Sequence, residues 1–444
     1  MIYREINIFD INYELSSEEF GLLHLPKNNL PRKGILVRLG ILLYHATLKS
    51  FKNRTGIKKT IGKDPTLLFG LSKNELDVLK SIAPEIDNSY IIGDDTYTNG
   101  FPLHRIYLMS LLYIPVVFWH FIICRKRFYR ISFAYAFDSY CLSYATIYYV
   151  EKYLKTLRPK NLVIANHVAF FHRIFNLLSA REGVRNIYIQ HASLISNFPS
   201  LGNYDVILLE GEDSLKKLQN GRNRDLRIYL IGMAKLDGFI KTKKKENPNK
   251  RKRIGISTNG LDSMALYQPL IKRLKDEFEH FEIILRPHPA DIRKEKWKEL
   301  TKDNEILFSD FGKVISFDFI KELDILIAGE SNIHLEAACL NVPSIYFDTE
   351  GYCRDWYGFY KNGLVKYAGD LDRLVACIHD FAGYRKNLKN VAKFYIDSLE
   401  TPFEGRTSEL AGMIIMIGES ADTNFERITD VYNNSILKLK NHEN

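Results

Sequence analysis

The sequence predicts an α/β protein in which two Rossmann-like, doubly wound domains face each other across a cleft. At 444 residues the chain is too long for one ordinary hydrophobic core, so two domains are expected. Its 46% hydrophobic and 26% charged residues are typical of a folded globular protein. From residue 160 onward, short apolar runs alternate with helical patterns, as in parallel sheets that carry helices on both faces.

The first block of strands lies in the middle of the chain. Before it, we assign helices at 73–84 and 133–157 but no strand. Within it, loops and helical patterns separate the apolar runs, as βαβ units require. The four predicted strands are 161–165, 186–190, 205–211 and 227–232.

A basic run at 241–253, KTKKKENPNKRKR, interrupts the alternation. Its charge and its proline indicate a solvated linker between domains, with a lipid or nucleic-acid patch as the alternative. Because aromatic residues do not interleave with the basic ones, we expect no nucleic-acid partner. The linker separates a first domain at 1–240, with a helical apolar insertion near 101–130, from a second domain at 254–400.

The second block repeats the alternation of the first. Helices are predicted at 264–279 and 332–340. In open parallel sheets, ligands bind beyond the carboxyl ends of the strands. The candidate site residues below therefore come from strand ends. The predicted strands are 253–257, 280–287, 305–309, 324–329 and 343–347.

An apolar segment at 106–124, IYLMSLLYIPVVFWHFIIC, contains no formally charged residue and is followed by RKRFYR. It is just long enough to cross a bilayer, and the basic flank would mark the cytoplasmic side. Pro115 and His120 argue against a spanning helix. Three interpretations stay open: a spanning helix, a helix that rests on the membrane surface, and a buried core helix.

Cysteine usage and the N-terminal sequence predict a cytoplasmic protein. The five cysteines are scattered and form no CxxC pair, which argues for reduced thiols and against a zinc site or a disulfide framework. The start, MIYREINIFDINYE, lacks the pattern of a secretory signal. The net charge of +9 favours anionic partners, and we expect peripheral contact with the cytoplasmic face of the inner membrane.

The first candidate site element is the turn in GISTNGLD, after the first strand of the second domain. Its glycines have the spacing of a phosphate-binding P-loop, but Leu261 and Asp262 replace the lysine and the hydroxyl residue that should follow. This departure excludes an ATPase. The polar turn of Ser257, Asn259 and Gly260 remains, either as a turn that faces a phosphate or as an ordinary strand-to-helix turn.

Arg286 and His288 form the second element, in the sequence LRPHP where a buried strand ends. The guanidinium fork suits phosphate oxygens. The imidazole can donate a hydrogen bond to a leaving oxygen, and the flanking prolines reduce the entropy of holding it in place. We predict a pocket for a diphosphate or a phosphate ester, with a plain surface histidine as the alternative.

The third element is the start of the predicted helix 332–340. Ser331 or Asn332 can cap this helix, whose free amides suit an anion. Glu336 lies one turn further on a mostly apolar helix. Its carboxylate can accept both hydroxyls of a ribose, and an exposed helix glutamate is the alternative.

Three motifs resemble, in their order, those of bacterial GT-B glycosyltransferases: GMAKLD at 232–237, RPHP at 286–289 and ESN…LEAA…VPSIYF at 330–347. More narrowly, the chain is similar to surface-polysaccharide transferases, which include the CDP-glycerol glycerophosphotransferases and the polysialic acid and Kdo transferases. Its second half also resembles the UDP-N-acetylglucosamine 2-epimerases. The resemblance extends over residues 160–420.

The resemblance implies that the second domain binds a nucleotide-activated donor and the first domain binds the acceptor. Arg286, His288, Ser331 and Asn332 would contact the donor phosphates, and Glu336 would bind the ribose. GT-B enzymes commonly send a final helix back across the first domain, and a helical tail at 401–444 is suitably placed to do so.

The sequence offers cations and bases for transfer but no metal motif. No Asp-x-Asp follows a strand, so we expect neither a metal nor a cofactor, and preorganised cations must neutralise the leaving phosphate. Lys235 would add a charge from across the cleft. We expect the general base from the first domain: His191 first, because IQHA is similar to the Gln/Trp-His-Gly loop of the related transferases, with His167, Glu210 and Glu212 as the other candidates.

These inferences predict a metal-independent glycosyltransferase that moves a sugar from a nucleotide-activated donor to a bacterial surface-glycan acceptor. The acceptor is expected to be a glycan or a glycolipid, as in capsule or lipopolysaccharide synthesis. The alternatives are a CDP-polyol phosphotransferase of the same fold and an enzyme like the UDP-N-acetylglucosamine 2-epimerases.

Overall fold

The computed structural model forms two parallel sheets, one of eight strands and one of six, which confirms the predicted fold class. Most of the predicted basic linker, 241–250, lies outside the residues that the structure describes. The described residues are 6–18, 21, 34–49, 63–93, 103–194, 199, 201–218, 226–240, 251–260, 262–289, 291–349, 351–385, 387–429 and 435–440.

The strands are short and are numbered here in chain order. Those of the described residues are β1 Thr66–Phe69, β2 Ser89–Ile92, β3 Asn161–Ile164, β4 Arg185–Ile189, β5 Val206–Leu209, β6 Arg227–Leu230, β7 Arg253–Thr258, β8 Glu282–Pro287, β9 Leu307–Phe308, β10 Ile325–Ala328, β11 Ser344–Phe347, β12 Lys366–Ala368, β13 Phe425–Thr429 and β14 Ser435–Leu439.

Helices cover both sheets, and a further group of helices is built around Phe137–Leu157. A π-helical turn, His45–Lys49, directly follows the helix Ile35–Tyr44. The α-helices of the described residues are Ile8–Ile11, Tyr13–Ser16, Ile35–Tyr44, Lys73–Ile82, Leu103–Ser110, Ile114–Ile123, Arg127–Tyr135, Phe137–Leu157, Phe170–Arg181, Glu212–Lys217, Asp237–Ile240, Tyr267–Glu277, Lys294–Asp303, Ser316–Lys321, Ile333–Cys339, Leu371–His379, Phe381–Arg385, Leu388–Lys393 and Thr407–Ile417.

The first sheet has the strand order β13-β14-β6-β5-β4-β3-β1-β2. Its pairings are parallel except for the antiparallel pair of β13 and β14. The chain leaves β1 for β2 on one side and continues with β3 on the other, so the strand order reverses between β1 and β3. Doubly wound sheets bind their ligands at such a reversal.

The second sheet has the order β12-β11-β10-β7-β8-β9, and all its pairings are parallel. Here the order reverses between β7 and β10. The loops that follow these two strands carry the predicted turn and the predicted ESN sequence. Topology therefore brings two of the three candidate elements to one crevice.

Burial on both faces explains why the strands read as continuous apolar runs rather than as alternating ones. The four residues of β3, of β5 and of β10 are all buried. Such strands are typical of parallel sheets between two helical layers.

The sequence prediction began the first sheet at residue 161, and this was wrong. The sheet begins at Thr66, where TLLF forms β1 between β2 and β3. β1 and β2 were missed because each has only four residues, too few to show a period, and because both lie beside helical patterns. The omission matters because β1 forms one side of the reversal point.

The C-terminal tail returns to the first domain. Its helix Thr407–Ile417 buries Leu410 and Ile414 in a core cluster of that domain. From β4, the guanidinium of Arg185 donates to the carbonyl of Ile415 at 2.8 Å. The tail then adds β14 beside β6 and β13 at the sheet edge; the prediction of a helical tail did not include these strands.

The apolar segment at 106–124 is not a core helix, so that alternative was wrong. It lies within Leu103–Ile123, the one helical stretch of the described chain that is long and apolar enough to cross a membrane. Only 17% of its most apolar 18 residues are buried. One side of the stretch packs on Phe137–Leu157, and the other side faces outward.

Candidate functional site

The carboxyl ends of β7, β8 and β10 bring predicted site residues together. Ser257 pairs in register with Arg286 on one side and with Ala328 on the other. Beyond the strands, the Asn259 side chain donates to the carbonyl of Glu330 at 3.1 Å. This bond ties the two loops of the reversal point to each other.

The turn after β7 is held by a network that sequence reasoning missed. The carboxylate of Asp262 accepts hydrogen bonds from the backbone amide of Asn259 at 2.7 Å and from the Tyr267 hydroxyl at 2.9 Å. The guanidinium of Arg293 donates to the carbonyls of Asn259, at 2.7 Å, and of Asp262, at 2.8 Å. A Cβ at Gly329 would lie 2.6 Å from Asp262 Oδ1, so the β10 loop approaches this turn closely.

Arg286 is buried, and both ends of its guanidinium are engaged within its own domain. Nη1 donates to the Ser309 hydroxyl at 3.0 Å, and Nη2 donates to the Val314 carbonyl at 2.8 Å. Burial lowers the pKa of Arg286, and the charges of Glu336 and Asp310 oppose that effect. The residue thus positions the 309–314 loop and brings its positive charge near Glu336.

His288 lies just beyond β8, on the exposed side of the loop. Partial desolvation lowers its pKa; Asp291 opposes this effect and Arg286 adds to it. The shift favours the neutral imidazole. Because His288 directly follows β8, it lies at the same end of the sheet as Arg286.

Lys235 and Glu336 join the two domains. The ammonium of Lys235, in the turn Ala234–Leu236 after β6, lies 3.3 Å from Glu336 Oε1 on the helix Ile333–Cys339. Each side chain is only 12% exposed. Burial works against the charge of Lys235, but Glu336 and Glu210 outweigh it and raise the lysine pKa.

A second contact between the domains lies at the start of the same helix. The Ser193 hydroxyl donates to Asn332 Oδ1 at 2.5 Å. Asn332 is the N-cap residue but its side chain makes no capping bond, while the Ser331 hydroxyl accepts the Ile333 amide at 3.4 Å. The carboxyl ends of the two sheets therefore face each other at Lys235–Glu336 and Ser193–Asn332.

Glu210 is a buried acid at the end of β5. Its Oε2 accepts the Gln190 side-chain amide at 3.1 Å, and its backbone amide donates to Gln190 Oε1 at 2.9 Å. Its Oε1 has no hydrogen-bond partner among the described residues. Burial raises the pKa of Glu210 to about 7, although Lys235 opposes that rise. Such a carboxyl exchanges its proton near neutral pH.

His191 has the geometry of a base. Its Nδ1 donates to the carbonyl of Ala165, because a carbonyl only accepts; Nε2 then keeps its lone pair when the ring is neutral. Burial lowers the pKa of His191, and the charge of Glu75 opposes this effect. Lys235 also influences the ring, so the histidine lies near the interdomain ion pair.

Glu75 was not among the predicted site residues. Its carboxylate accepts His172 Nε2 at 2.9 Å, the Leu71 amide at 2.7 Å and the Asn166 side-chain amide at 2.9 Å. Burial disfavours the charge, but these donors outweigh it and hold the pKa of Glu75 far below its ordinary value. The loops after β1 and β3 thus meet at a buried carboxylate.

The sequence contains one signal for Glu75. Ser72 and Glu75 form a capping box at the start of Lys73–Ile82, a pattern that is legible as S-x-x-E. That pattern predicts a helix start only. The role at the reversal point depends on His172, which lies 97 residues away in the sequence.

Two predicted bases are not brought to this cluster. His167 is buried, its Nε2 accepts Arg173 Nη1 at 3.1 Å and its Nδ1 lies 3.4 Å from the Tyr204 hydroxyl, so its lone pair is engaged. Glu212 pairs with Lys438 of β14 at the other side of the sheet. Across the described segments, no three His, Cys, Asp or Glu side chains gather in a way that would hold a metal ion.

Comparison with known proteins supports the fold. No protein-family model and no curated protein matches the chain. A UDP-N-acetylglucosamine 2-epimerase structure has a TM-score of 0.52 at 13% identity and covers 80% of this chain and 97% of its own. The structure of the Neisseria meningitidis enzyme bound to UDP-GlcNAc has a TM-score of 0.51 at 13% identity and covers 78% of this chain and 98% of its own. The Methanocaldococcus jannaschii enzyme has a TM-score of 0.51 at 13% identity and covers 80% of this chain and 99% of its own. At this identity the likeness shows the two-domain fold.

Proposed function

We propose that this protein is a glycosyltransferase that moves a sugar from a nucleotide-activated donor to a glycan or glycolipid acceptor, without a metal ion. The observation that carries the proposal is the Lys235–Glu336 ion pair, which lies where the carboxyl ends of both sheets meet. Lys235 influences both His191 and Glu210, and burial lowers the pKa of His191 and raises that of Glu210 to about 7. Buried charges that shift one another's pKa in a cleft are typical of active sites.

The nucleotide binds the second domain, at the reversal between β7 and β10. The turn of Ser257, Asn259 and Gly260 and the start of the helix Ile333–Cys339 line the diphosphate. Glu336 exchanges Lys235 for the ribose hydroxyls. His288 donates to a phosphate oxygen from the β8 loop.

Two cations act on the leaving group in different ways. Lys235, released from Glu336, approaches the diphosphate and stabilises the charge that develops there. Arg286 contributes its charge from a fixed position, because its Nη1 bond to Ser309 and its Nη2 bond to Val314 hold the guanidinium in place. It serves chiefly to position the 309–314 loop.

His191 is the general base. Its Nε2 takes the proton of the acceptor hydroxyl while the acceptor oxygen bonds to the anomeric carbon of the sugar. The bond between that carbon and the donor phosphate breaks, and its electron pair leaves with the nucleotide. The buried charge of Glu75 stabilises the imidazolium as it forms, and the Ala165 carbonyl holds the ring in place.

A 2-epimerase is the second candidate, and Glu210 is the observation that favours it. Inversion at a sugar carbon requires a proton to be removed and returned, and a carboxyl with a pKa near 7 suits that task. The solved structures quoted above carry that activity in their names. In the alternative of a CDP-polyol phosphotransferase, the acceptor oxygen attacks the phosphorus of the polyol phosphate, the phosphoanhydride bond breaks and CMP leaves.

The deciding experiment follows donor turnover with and without acceptor. The purified chain is incubated in EDTA with UDP-, GDP- and CMP-sugars and with CDP-glycerol, and bacterial lipid extract is added to half of the samples. A transferase consumes a nucleotide sugar only when the extract is present and releases its nucleotide. Formation of the C2 epimer of a UDP-sugar without extract would identify an epimerase. Turnover of CDP-glycerol, but of none of the nucleotide sugars, would identify a phosphotransferase.

A further inference from the structure

We infer that the helical stretches Ile35–Tyr44 and Leu103–Ile123 form a surface that rests on an anionic lipid bilayer without crossing it. We call the exposed side chains of these two stretches the membrane face. The nucleotide site does not contribute to this surface. A negative result here would therefore leave the proposed function untouched.

The inner side of Leu103–Ile123 is fixed to the protein along its length. Ile106, Ser110 and Val117 are fully buried, at spacings of four and seven residues that place them on one helical side. On the same side, the ring of Tyr113 stacks on Tyr144, and His120 Nδ1, one turn beyond Val117, lies 3.3 Å from the Tyr144 hydroxyl. A helix held in this way lies along its domain rather than leaving it to span a bilayer.

The outer side of the same stretch is apolar and exposed. Leu112 is 73% exposed, Trp119 61% and Ile122 56%, and these residues repeat with the same helical period on the opposite side. Soluble surfaces seldom present so many large apolar side chains side by side. Further exposed members are Leu108, Phe118 and Ile123.

The helix Ile35–Tyr44 extends the membrane face. Leu36 is 83% exposed, and Val37 beside it is also exposed. This helix packs on Phe137–Leu157, as Leu103–Ser110 does. The turn that follows it touches the second stretch, since the ring of His45 stacks on Tyr107 at 5.1 Å. The two apolar surfaces are therefore neighbours.

The charges beside the membrane face select a lipid occupant. Residues 103–135 contain no Asp or Glu, and their basic side chains are all exposed. A second copy of the chain would bring like charges together, whereas anionic headgroups complement them and the apolar side chains enter the acyl boundary. An exposed tryptophan suits that boundary. The basic residues are Arg105, Arg125, Lys126, Arg127 and Arg130.

A flotation assay with vesicles tests the inference. The intact chain is mixed with vesicles of phosphatidylcholine containing phosphatidylglycerol, or of phosphatidylcholine alone. The variant combines Trp119→Glu with Ile122→Glu, two exposed positions whose change leaves the core intact. Ile428→Glu, at an exposed position on β13, is the matched control. Circular dichroism and thermal melts confirm that the variants fold.

The native chain and the control are expected to float with the anionic vesicles, to bind neutral vesicles less and to be released by alkaline carbonate. The double variant is expected to lose binding by roughly tenfold or more, because membrane affinity scales with the apolar area that is inserted. Equal binding by the double variant overturns the inference. So does resistance to carbonate, which indicates a spanning segment, and so does a native dimer in sedimentation that the double variant abolishes, which indicates a second copy as occupant.

Discussion

The ammonium of Lys235 lies 3.3 Å from the carboxylate of Glu336, and the two residues belong to different domains. Glu210, a buried acid with a pKa of about 7, also influences Lys235 from the end of β5. A cation shared by two carboxylates at a domain boundary can change partners when a ligand enters. In the proposed mechanism this arrangement would connect donor binding to the relative position of the domains, and the following predictions test it.

Replacing Lys235 by methionine tests its role at the leaving group. We expect kcat to fall by about 10²-fold with a smaller change in the KM of the donor, as for loss of one preorganised stabilising group. Steady-state kinetics measure both quantities, and Lys298→Met on the exposed side of Lys294–Asp303 is the control. A raised KM with an unchanged kcat would limit Lys235 to binding.

Replacing His191 by alanine tests the general base. We expect kcat to fall by about 10²- to 10⁴-fold while donor affinity is retained. His280→Ala, an exposed histidine of the second domain, is expected to behave as the native chain does.

The pH dependence provides a second test of His191. Burial holds its pKa below the ordinary value of 6.5, and only the neutral ring accepts a proton. We expect kcat/KM of the native chain to be constant near neutral pH and to fall once the pH drops through a pKa below 6.5. An acid limb that lies above 6.5, or one that persists in His191→Ala, would assign the titration to another group.

Replacing Glu210 by glutamine tests its raised pKa through stability. The folded chain keeps the proton of Glu210 up to about pH 7, whereas the unfolded chain releases it near 4.5. This contribution to stability is complete below 4.5 and is lost as the pH rises through 7.

The glutamine of the variant is neutral at every pH, so the variant does not lose this stability as the pH rises. We expect Glu210→Gln and the native chain to melt alike at about pH 4 and the variant to be the more stable at about pH 8, by roughly 3 kcal/mol or less. Differential scanning calorimetry at both pH values measures the difference, with the exposed Glu299→Gln as control. A difference that does not change with pH would mean that Glu210 titrates at an ordinary pKa.

Replacing Gly329 by alanine tests the packing of the reversal point. The added Cβ would lie 2.6 Å from Asp262 Oδ1, and that carboxylate is held by Asn259 and Tyr267. We expect a loss of roughly 1–3 kcal/mol in unfolding free energy together with weaker nucleotide binding. Gly238→Ala meets no atom within 4 Å and is the matched control. Equal stability of the two variants would show that the turn after β7 moves freely.

Much of the second domain could be predicted from the sequence. Its strands are apolar runs bounded by polar turns, so the ends of β7, β8 and β10 and the residues that follow them were found by pattern alone. The partners of Arg286 could not be found in this way. Val314 lies 28 residues downstream, and no periodicity connects its carbonyl to a strand end.

The first domain was less predictable for a related reason. β1 is a four-residue strand among helical patterns, and without β1 no local pattern indicates that Glu75 and Asn166 meet. His191 was predicted as a base because its loop resembles that of known transferases, and this role stays a prediction. His167 follows an equivalent strand, but Arg173 and Tyr204 occupy it, and these contacts depend on packing that no local pattern encodes.

Isothermal titration calorimetry of the intact chain in EDTA with UDP, GDP, CMP and CDP tests most directly whether the second domain binds a nucleotide at Glu336. We predict saturable binding of at least one nucleotide. We also predict that Glu336→Gln weakens this binding by roughly tenfold or more, since a hydrogen bond to a charged group is lost, whereas Glu299→Gln does not. Absence of binding to all four nucleotides, or equal affinity of the native chain and Glu336→Gln, would contradict the proposed site.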